Sequence, residues 1–273
     1  MIQGFETKEN TDIVIRSFVK GVKGVLHKKV RKVDQYEQTE WPTFKDFTLP
    51  IAVFGVLRGT GNLIKNSMVI PQDFYYFDHA YILGNRHLNS GFVGDKVYRL
   101  TKNDYSLTYI DKLTKEDEER IEKYKEHITI KPWKKEGKYI LVCEPSDHAK
   151  KYYNASDWLE HTLDKLKSYT KKEILVRKKT TPDSFKKQLE EAFACVTFQS
   201  TACIESVLNG VPSFCDGISC GVPVSNMILS EIENPNYSDK REEWINSLLA
   251  NQFTMTEIGN GVAWRKVSGY NNS

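Results

Sequence analysis

The segment from residue 138 to residue 215 constrains the fold more than any other part of the chain. KYILVC (138–143), EILVR (173–177), ACVTF (194–198) and PSFC (212–215) are short, apolar and rich in β-branched residues, and they read as strands. Helical periodicity separates them. Trp158, Leu159, Thr162, Leu163 and Leu166 follow Ser156; Phe185, Leu189 and Ala192 follow Thr181 and Pro182; Ile204, Val207 and Leu208 follow Ser200 and Thr201 and stop at Gly210. A β-α-β-α-β-α-β series closes most simply as a doubly wound parallel sheet, with its ligand crevice at the carboxyl ends of the strands.

The first half is less regular. DIVIRSFV (12–19), PIAVFGVL (50–57) and DFYYFDHAY (73–81) are its strand candidates. Thr114 with Asp117 three residues on predicts a helix start, and Ile121, Tyr124 and Ile128 supply one apolar face. The turn around Pro132 and Gly137 then precedes a new strand. The chain of 273 residues is accordingly expected to hold two α/β domains, 1–132 and 133–273, the second ending in a helix begun near Ser238 with Trp244, Ile245, Leu248 and Leu249 on its apolar face.

Charge excludes little by itself. Against 36 Asp and Glu the chain carries 39 Lys and Arg, so a net +3 gives no molecule-wide field that would select nucleic acid. The densest basic run is Lys20, Lys23, His27, Lys28, Lys29, Arg31 and Lys32, which also reads as ordinary solvated surface. No apolar stretch approaches the roughly 20 residues of a membrane-spanning helix, and MIQGFETKENTD lacks the form of a secretory signal, so a cytoplasmic protein is expected. The five cysteines read as buried free thiols.

The strongest local motif is FACVTFQSTACIESVLNGVPSFCD, where a strand runs straight into a helix start. Unpaired amides at a helix start attract phosphate oxygens, so the amides of residues 200–203 with the Ser200 and Thr201 hydroxyls form a candidate pyrophosphate site. Plain N-capping by Ser200 explains the same residues. Glu205, one turn on, is a candidate acceptor for a ribose or sugar hydroxyl. Arg177 closes the preceding strand and is a candidate to offset charge on a leaving phosphate. EPSDHAK (144–150) reads as a loop that brings Ser146, Asp147 and His148 to the mouth of the crevice.

In the first half, LRGTGNLIK places Arg58, Gly59, Thr60 and Gly61 just after a strand, where the glycines allow tight turning and close backbone approach. The order matches neither GxxxxGK[ST] nor GxGxxG. FYYFDHAY puts Asp78 and His79 at the end of an apolar strand, where such groups are costly unless paired or used. Asp78 is the candidate general base, with His79 orienting it or touching a phosphate. Pairing of Asp78 with a backbone amide or a histidine is the plainer alternative.

The run from Val196 to Phe214 resembles the donor-side segment of two-lobed GT-B type glycosyltransferases, in which a small or hydroxyl residue, an acidic residue and a Gly-x-Pro turn recur. With LRGTGN, FYYFDHAY, KPWKKEGKYILVCEPS and QFTMTEIGNGVAW, the chain is also similar to a group of bacteriophage proteins of that fold. The resemblance implies a two-lobed GT-B-like α/β fold with doubly wound, mostly parallel sheets. It implies transfer of a sugar from a nucleotide-sugar, a UDP-sugar being favoured, to a hydroxyl acceptor. Ser200, Thr201 and Glu205 then fall on the donor-binding segment, the first domain presents the acceptor and the base, and neither a tightly bound cofactor nor a metal is implied. The chain departs from the pattern in being short and in having only three strand candidates in its first lobe. For a phage enzyme, a hydroxymethylated base in double-stranded DNA is a plausible acceptor, its backbone held by Lys20, Lys23, Lys28, Lys29 and Lys32. A saccharide acceptor and a non-catalytic nucleotide- or DNA-binding protein are the alternatives.

Overall fold

The computed structural model describes residues 1–7, 9–28, 48–83 and 96–269. The chain forms two compact units, Met1–Tyr105 with Leu249–Ser273, and Ser106–Leu248. The division expected near residue 133 falls inside the second of these, and the C-terminal segment is part of the first.

In chain order the first unit contains β1 (Gln3–Glu6), α1 (Glu9–Gly21), β2 (Val25–Lys28), β3 (Ile51–Phe54), α2 (Thr60–Val69), β4 (Phe74–His79) and β5 (Val97–Lys102). There follow α3 (Lys115–Lys125), β6 (Tyr139–Cys143), α4 (Asp147–Tyr153), α5 (Trp158–Tyr169), β7 (Glu173–Arg177), α6 (Phe185–Glu191), β8 (Ala192–Thr197), α7 (Ala202–Leu208) and β9 (Ser213–Phe214). The chain returns through α8 (Arg241–Ala250) to β10 (Gln252–Thr254), α9 (Met255–Gly259) and α10 (Val262–Ser268).

The first sheet has the order β10-β5-β4-β3-β1-β2. Its strands β2, β1, β3 and β4 are parallel, while β5 and β10 each run antiparallel to their neighbour. The carboxyl ends of the four parallel strands therefore lie along one edge, which ends in Glu6, Lys28, Phe54 and His79. One face of this sheet is sealed by a cluster in which Ala52, Tyr75, Phe77 and Phe253 meet Val14, Ile15 and Phe18 of α1 and Ile258 of α9.

Residues 12–19, expected as a strand from their β-branched content, lie within α1. Val14, Ile15, Phe18 and Val19 are buried, whereas Ile13 is 53% exposed and the Arg16 side chain 51% exposed. Burial at i, i+1, i+4 and i+5 is the helical period, and the packing of that stripe outweighs the weak strand preference of Ile and Val.

The second sheet, β7-β6-β8-β9, is parallel throughout. Ile140, Val142, Ala194, Val196 and Phe214 face Leu159, Leu163 and Leu166 of α5 on one side. Leu141 and Cys195 face Leu189 and Phe185 of α6 and Ala202 of α7 on the other. Helices on both faces make this the doubly wound arrangement that the alternation of elements predicts, and the chain as a whole is α/β with mostly parallel sheets. The α3 start is also as predicted: the Thr114 hydroxyl and the Asp117 carboxylate close a reciprocal capping box.

Three local expectations are corrected. EPSDHAK is not a loop, because Ser146 caps α4 and its hydroxyl accepts from the Ala149 amide at 3.3 Å. Thr181 and Pro182 do not open α6; Thr181 Oγ1 accepts from the Lys178 amide at 3.0 Å in a turn, and Ser184 occupies the N-cap position. Ala192 is the first residue of β8 rather than part of the helix face. No described helix is long and apolar enough to cross a membrane.

Candidate functional site

At the edge of the first sheet, β4 carries its candidate base into a dense polar network. Asp78 stands in register opposite Arg99 of β5. Arg99 Nη2 donates to Asp78 Oδ2 at 2.8 Å, the Tyr76 hydroxyl donates to the same oxygen at 3.1 Å, and the His79 amide donates to Oδ1 at 2.8 Å. The Arg99 guanidinium also lies 5.0 Å from the Tyr81 ring centre and 5.9 Å from that of Tyr76. Burial pushes the Asp78 carboxyl up, but the Arg99 charge, the His79 amide and the Tyr76 hydroxyl together hold it below the usual carboxylate value. Asp78 is thus an ionised, oriented carboxylate with ligands on both oxygens. The imidazole of His79 meets the Phe54 ring edge-on at 5.5 Å.

The neighbouring turn, from β3 into α2, is held from within. Gly55, Arg58 and Gly59 adopt φ of 65°, 62° and 89°, and Arg58 alone of these has a side chain to strain there. The Thr60 hydroxyl is taken up by the carbonyl oxygens of Gly55 and Leu57 at 2.8 and 2.7 Å. The Gly61 amide donates to Val56 O at 3.2 Å, and the Gly55 amide donates to Phe77 O at 2.8 Å, tying this turn to β4. Arg58, Gly59, Thr60, Gly61, Asp78 and His79 are therefore gathered at the carboxyl ends of two adjacent strands.

The candidates in the second unit follow three adjacent strands, since Cys143 of β6 pairs with both Arg177 of β7 and Thr197 of β8. Ser146 and His148 lie at the start of α4. Arg177 Nη1 donates to Gln188 Oε1 at 2.6 Å and to Asp183 O at 2.8 Å, and its guanidinium lies 5.2 Å from the Phe185 ring centre. That side chain is directed to α6. Thr201, not Ser200, is the N-cap residue of α7, and it makes no side-chain cap bond. Ser200 Oγ accepts from the Ala202 amide at 3.2 Å, and the Cys203 amide donates to Ser200 O at 3.3 Å. Two of the four amides expected to cradle phosphate thus have protein acceptors. Glu205 is half-buried on α7, whose Cys203, Ile204, Ser206 and Val207 are buried.

Sequence reasoning missed Arg99, although VYRLTK alternates as a strand with a cation in its middle. It also missed the cluster at the end of β6. Glu144, with only 11% of its side chain exposed, pairs with Lys150, and Lys178 Nζ lies 3.9 Å from its other oxygen. Lys29 and Lys32 of the basic run lie outside the described residues, as does most of LGNRHLNSG; Lys20 and Lys23 are exposed. Among the described residues, no group of three or more His, Cys, Asp or Glu is placed to hold a metal ion.

The mostly parallel, helix-flanked sheets of the two units define a GT-B-like α/β fold, the fold of a class of glycosyltransferases. In particular, the structure is similar to Thermosulfurimonas dismutans KpsC, beta Kdo 2,7 transferase, over 97% of this chain and 99% of that one, with a TM-score of 0.54 and 12% sequence identity. It also matches KpsC, beta Kdo 2,4 transferase, of the same organism over 96% and 98% of the two chains, with a TM-score of 0.49 and 10% identity. At 12% identity the first likeness is one of fold. No protein-family model matches the chain, and no curated protein does.

Proposed function

We propose that the protein is a glycosyltransferase that moves a sugar from a nucleotide-sugar to a hydroxyl acceptor, with Asp78 as the general base. The observation that carries this reading is Asp78 paired with Arg99 at 2.8 Å at the carboxyl edge of the first sheet, in a chain whose fold is matched over 97% of its length by a sugar transferase. A hydroxyl is a weak nucleophile until its proton has an acceptor. The Asp78 carboxylate, paired with Arg99, receives that proton as the bond to the anomeric carbon forms and the bond from that carbon to the phosphate oxygen breaks, the nucleotide leaving with the electron pair, and His79 contacts the donor or orients the acceptor. The nucleotide is held at the carboxyl ends of β6, β7 and β8, where Ser146, His148, Arg177, Ser200, Thr201 and Glu205 lie.

The matched protein is described as a Kdo transferase. We therefore place a saccharide acceptor first and a hydroxymethylated DNA base second; the exposed Lys20 and Lys23 are the described residues that favour the latter. The test incubates the intact protein with UDP-sugars, other nucleotide-sugars and nucleotide-activated Kdo, each with separate saccharide, DNA and protein acceptors, and reads product mass. One acceptor gaining the mass of one sugar is expected. Nucleotide binding without turnover on any acceptor would replace this reading with that of a binding protein.

A further inference from the structure

We propose that the cavity between α5 and residues 227–230, which reaches Thr197 and Asp216 at the carboxyl ends of β8 and β9 but is lined by none of the nucleotide-site candidates named above, is a binding site for a single neutral sugar ring. The cavity is open to solvent on one side and has a volume of about 270 Å³. Pockets for drug-sized ligands run to roughly 300–1,000 Å³, so this one suits one ring rather than a whole nucleotide.

Its wall is built by a second stripe of α5. Leu159, Leu163 and Leu166 face the sheet and form the core. Trp158, Thr162, Lys165 and Tyr169, at i, i+4, i+7 and i+11, line the cavity instead, together with Met227 and Ile228. The doubly wound pattern leaves room there because β9 is two residues long and only a 3₁₀ turn, Leu229–Glu231, covers that part of the face.

The lining has the two components that a sugar ring requires. Tyr169, Met227 and Ile228 remain 43%, 49% and 55% exposed, so apolar surface that folding normally hides is gathered around one opening. A pyranose lays its C–H face on such surface, and aromatic rings are the usual platform. The polar component is Asp216 and Lys165, which both line the cavity; Asp216 Oδ2 accepts from Trp158 Nε1 at 2.9 Å, which fixes the indole. The other Asp216 oxygen and the Lys165 ammonium are an acceptor and a donor for sugar hydroxyls. One cation and one anion cancel, which suits a neutral ligand over a phosphate or a nucleotide.

The proposal goes beyond the transferase reading and does not need turnover to be tested. The intact protein is titrated with methyl glucoside, N-acetylglucosamine and, as a control, uridine, while the indole N–H resonance of Trp158 is followed by NMR after assignment with Trp158→Phe. Both sugars are expected to shift that resonance with a dissociation constant of about 1 mM. Tyr169→Ala and Asp216→Asn, which alter exposed side chains and leave the core intact, are each expected to weaken sugar binding at least about five-fold, roughly 1 kcal/mol. No shift with either sugar overturns the proposal, as does a shift that both variants leave unchanged. A response to uridine alone overturns it in favour of a nucleoside site. Failure here leaves the transferase reading standing, and absence of turnover leaves this site standing.

Discussion

Asp78 and Arg99 face one another across β4 and β5, and this pairing changes what substitution of either residue does. Folding lowers the Asp78 carboxyl, so the pair contributes its full stability above the unfolded carboxylate value of about 3.9 and loses it as pH falls through the lower folded value. Asp78→Asn keeps the shape but leaves Arg99 without its anion, so we expect a loss of roughly 1–3 kcal/mol at neutral pH. That deficit relative to the parent protein should shrink in acid; urea denaturation at neutral pH and again below the carboxylate range checks it. For turnover, Asp78→Asn should cost at least about 10²-fold, with His79→Ala measured beside it under saturating donor. Arg99→Gln should move the acid limb of the rate profile upward in pH, because the carboxylate then protonates more readily. The thiols make a separate case. All five cysteines are buried, and burial pushes Cys215 up to about 11, so little of that residue is thiolate at neutral pH. A thiol reagent should label the native protein slowly and reach all five only after unfolding.

Gly210, just beyond α7, shows how a connection can depend on one residue. It adopts φ of 77°, its amide donates to Val207 O at 3.1 Å, and a Cβ there would run into the Pro132 carbonyl oxygen. Gly55 shares the left-handed backbone, with φ of 65°, but a Cβ there has open space around it. Gly210→Ala should therefore lose at least about 2 kcal/mol, the left-handed penalty plus the clash, and Gly55→Ala only about 1–2 kcal/mol. Thermal melts of the two variants separate these costs. Gly210 was legible in the sequence as a helix stop, as were the strands of the second sheet, because buried parallel strands are continuous apolar runs that stand out from their amphipathic helices. The first unit was less legible. Its α1 is rich in Ile and Val and mimics a strand, while β1, β2 and β10 span only three or four residues each, too few to show a period. Asp78 and His79 were visible because polar groups at the end of FYYF break an apolar run. Arg99 was not, because its value comes from the pairing register of two strands distant in sequence.

For the whole molecule, the consequential feature is that the chain ends in the unit where it began. β10 is the edge strand beside β5, and Gln252 locks it in place, its side-chain amide donating to Ile82 O at 3.0 Å and accepting from the Ile82 amide at 3.2 Å. Phe253, Ile258 and Ala263 are fully buried in the cluster that seals the first sheet against α1. A chain stopped after Ala250 loses that cover and leaves β5 with an unpaired edge, a template for aggregation. Burial of Phe253 and Ile258 alone is worth roughly 3–6 kcal/mol, comparable with the whole stability of a domain, about 5–15 kcal/mol. The first unit of such a truncated chain should therefore be unfolded or aggregated. The second unit keeps its sheet, both its helix layers and its own core, so it should retain structure. Limited proteolysis decides: rapid cleavage before residue 105 with a persistent fragment spanning residues 106–248 is expected. A truncated protein that resists protease along its whole length and melts with the parent would show that the C-terminal segment is not needed to complete the first unit.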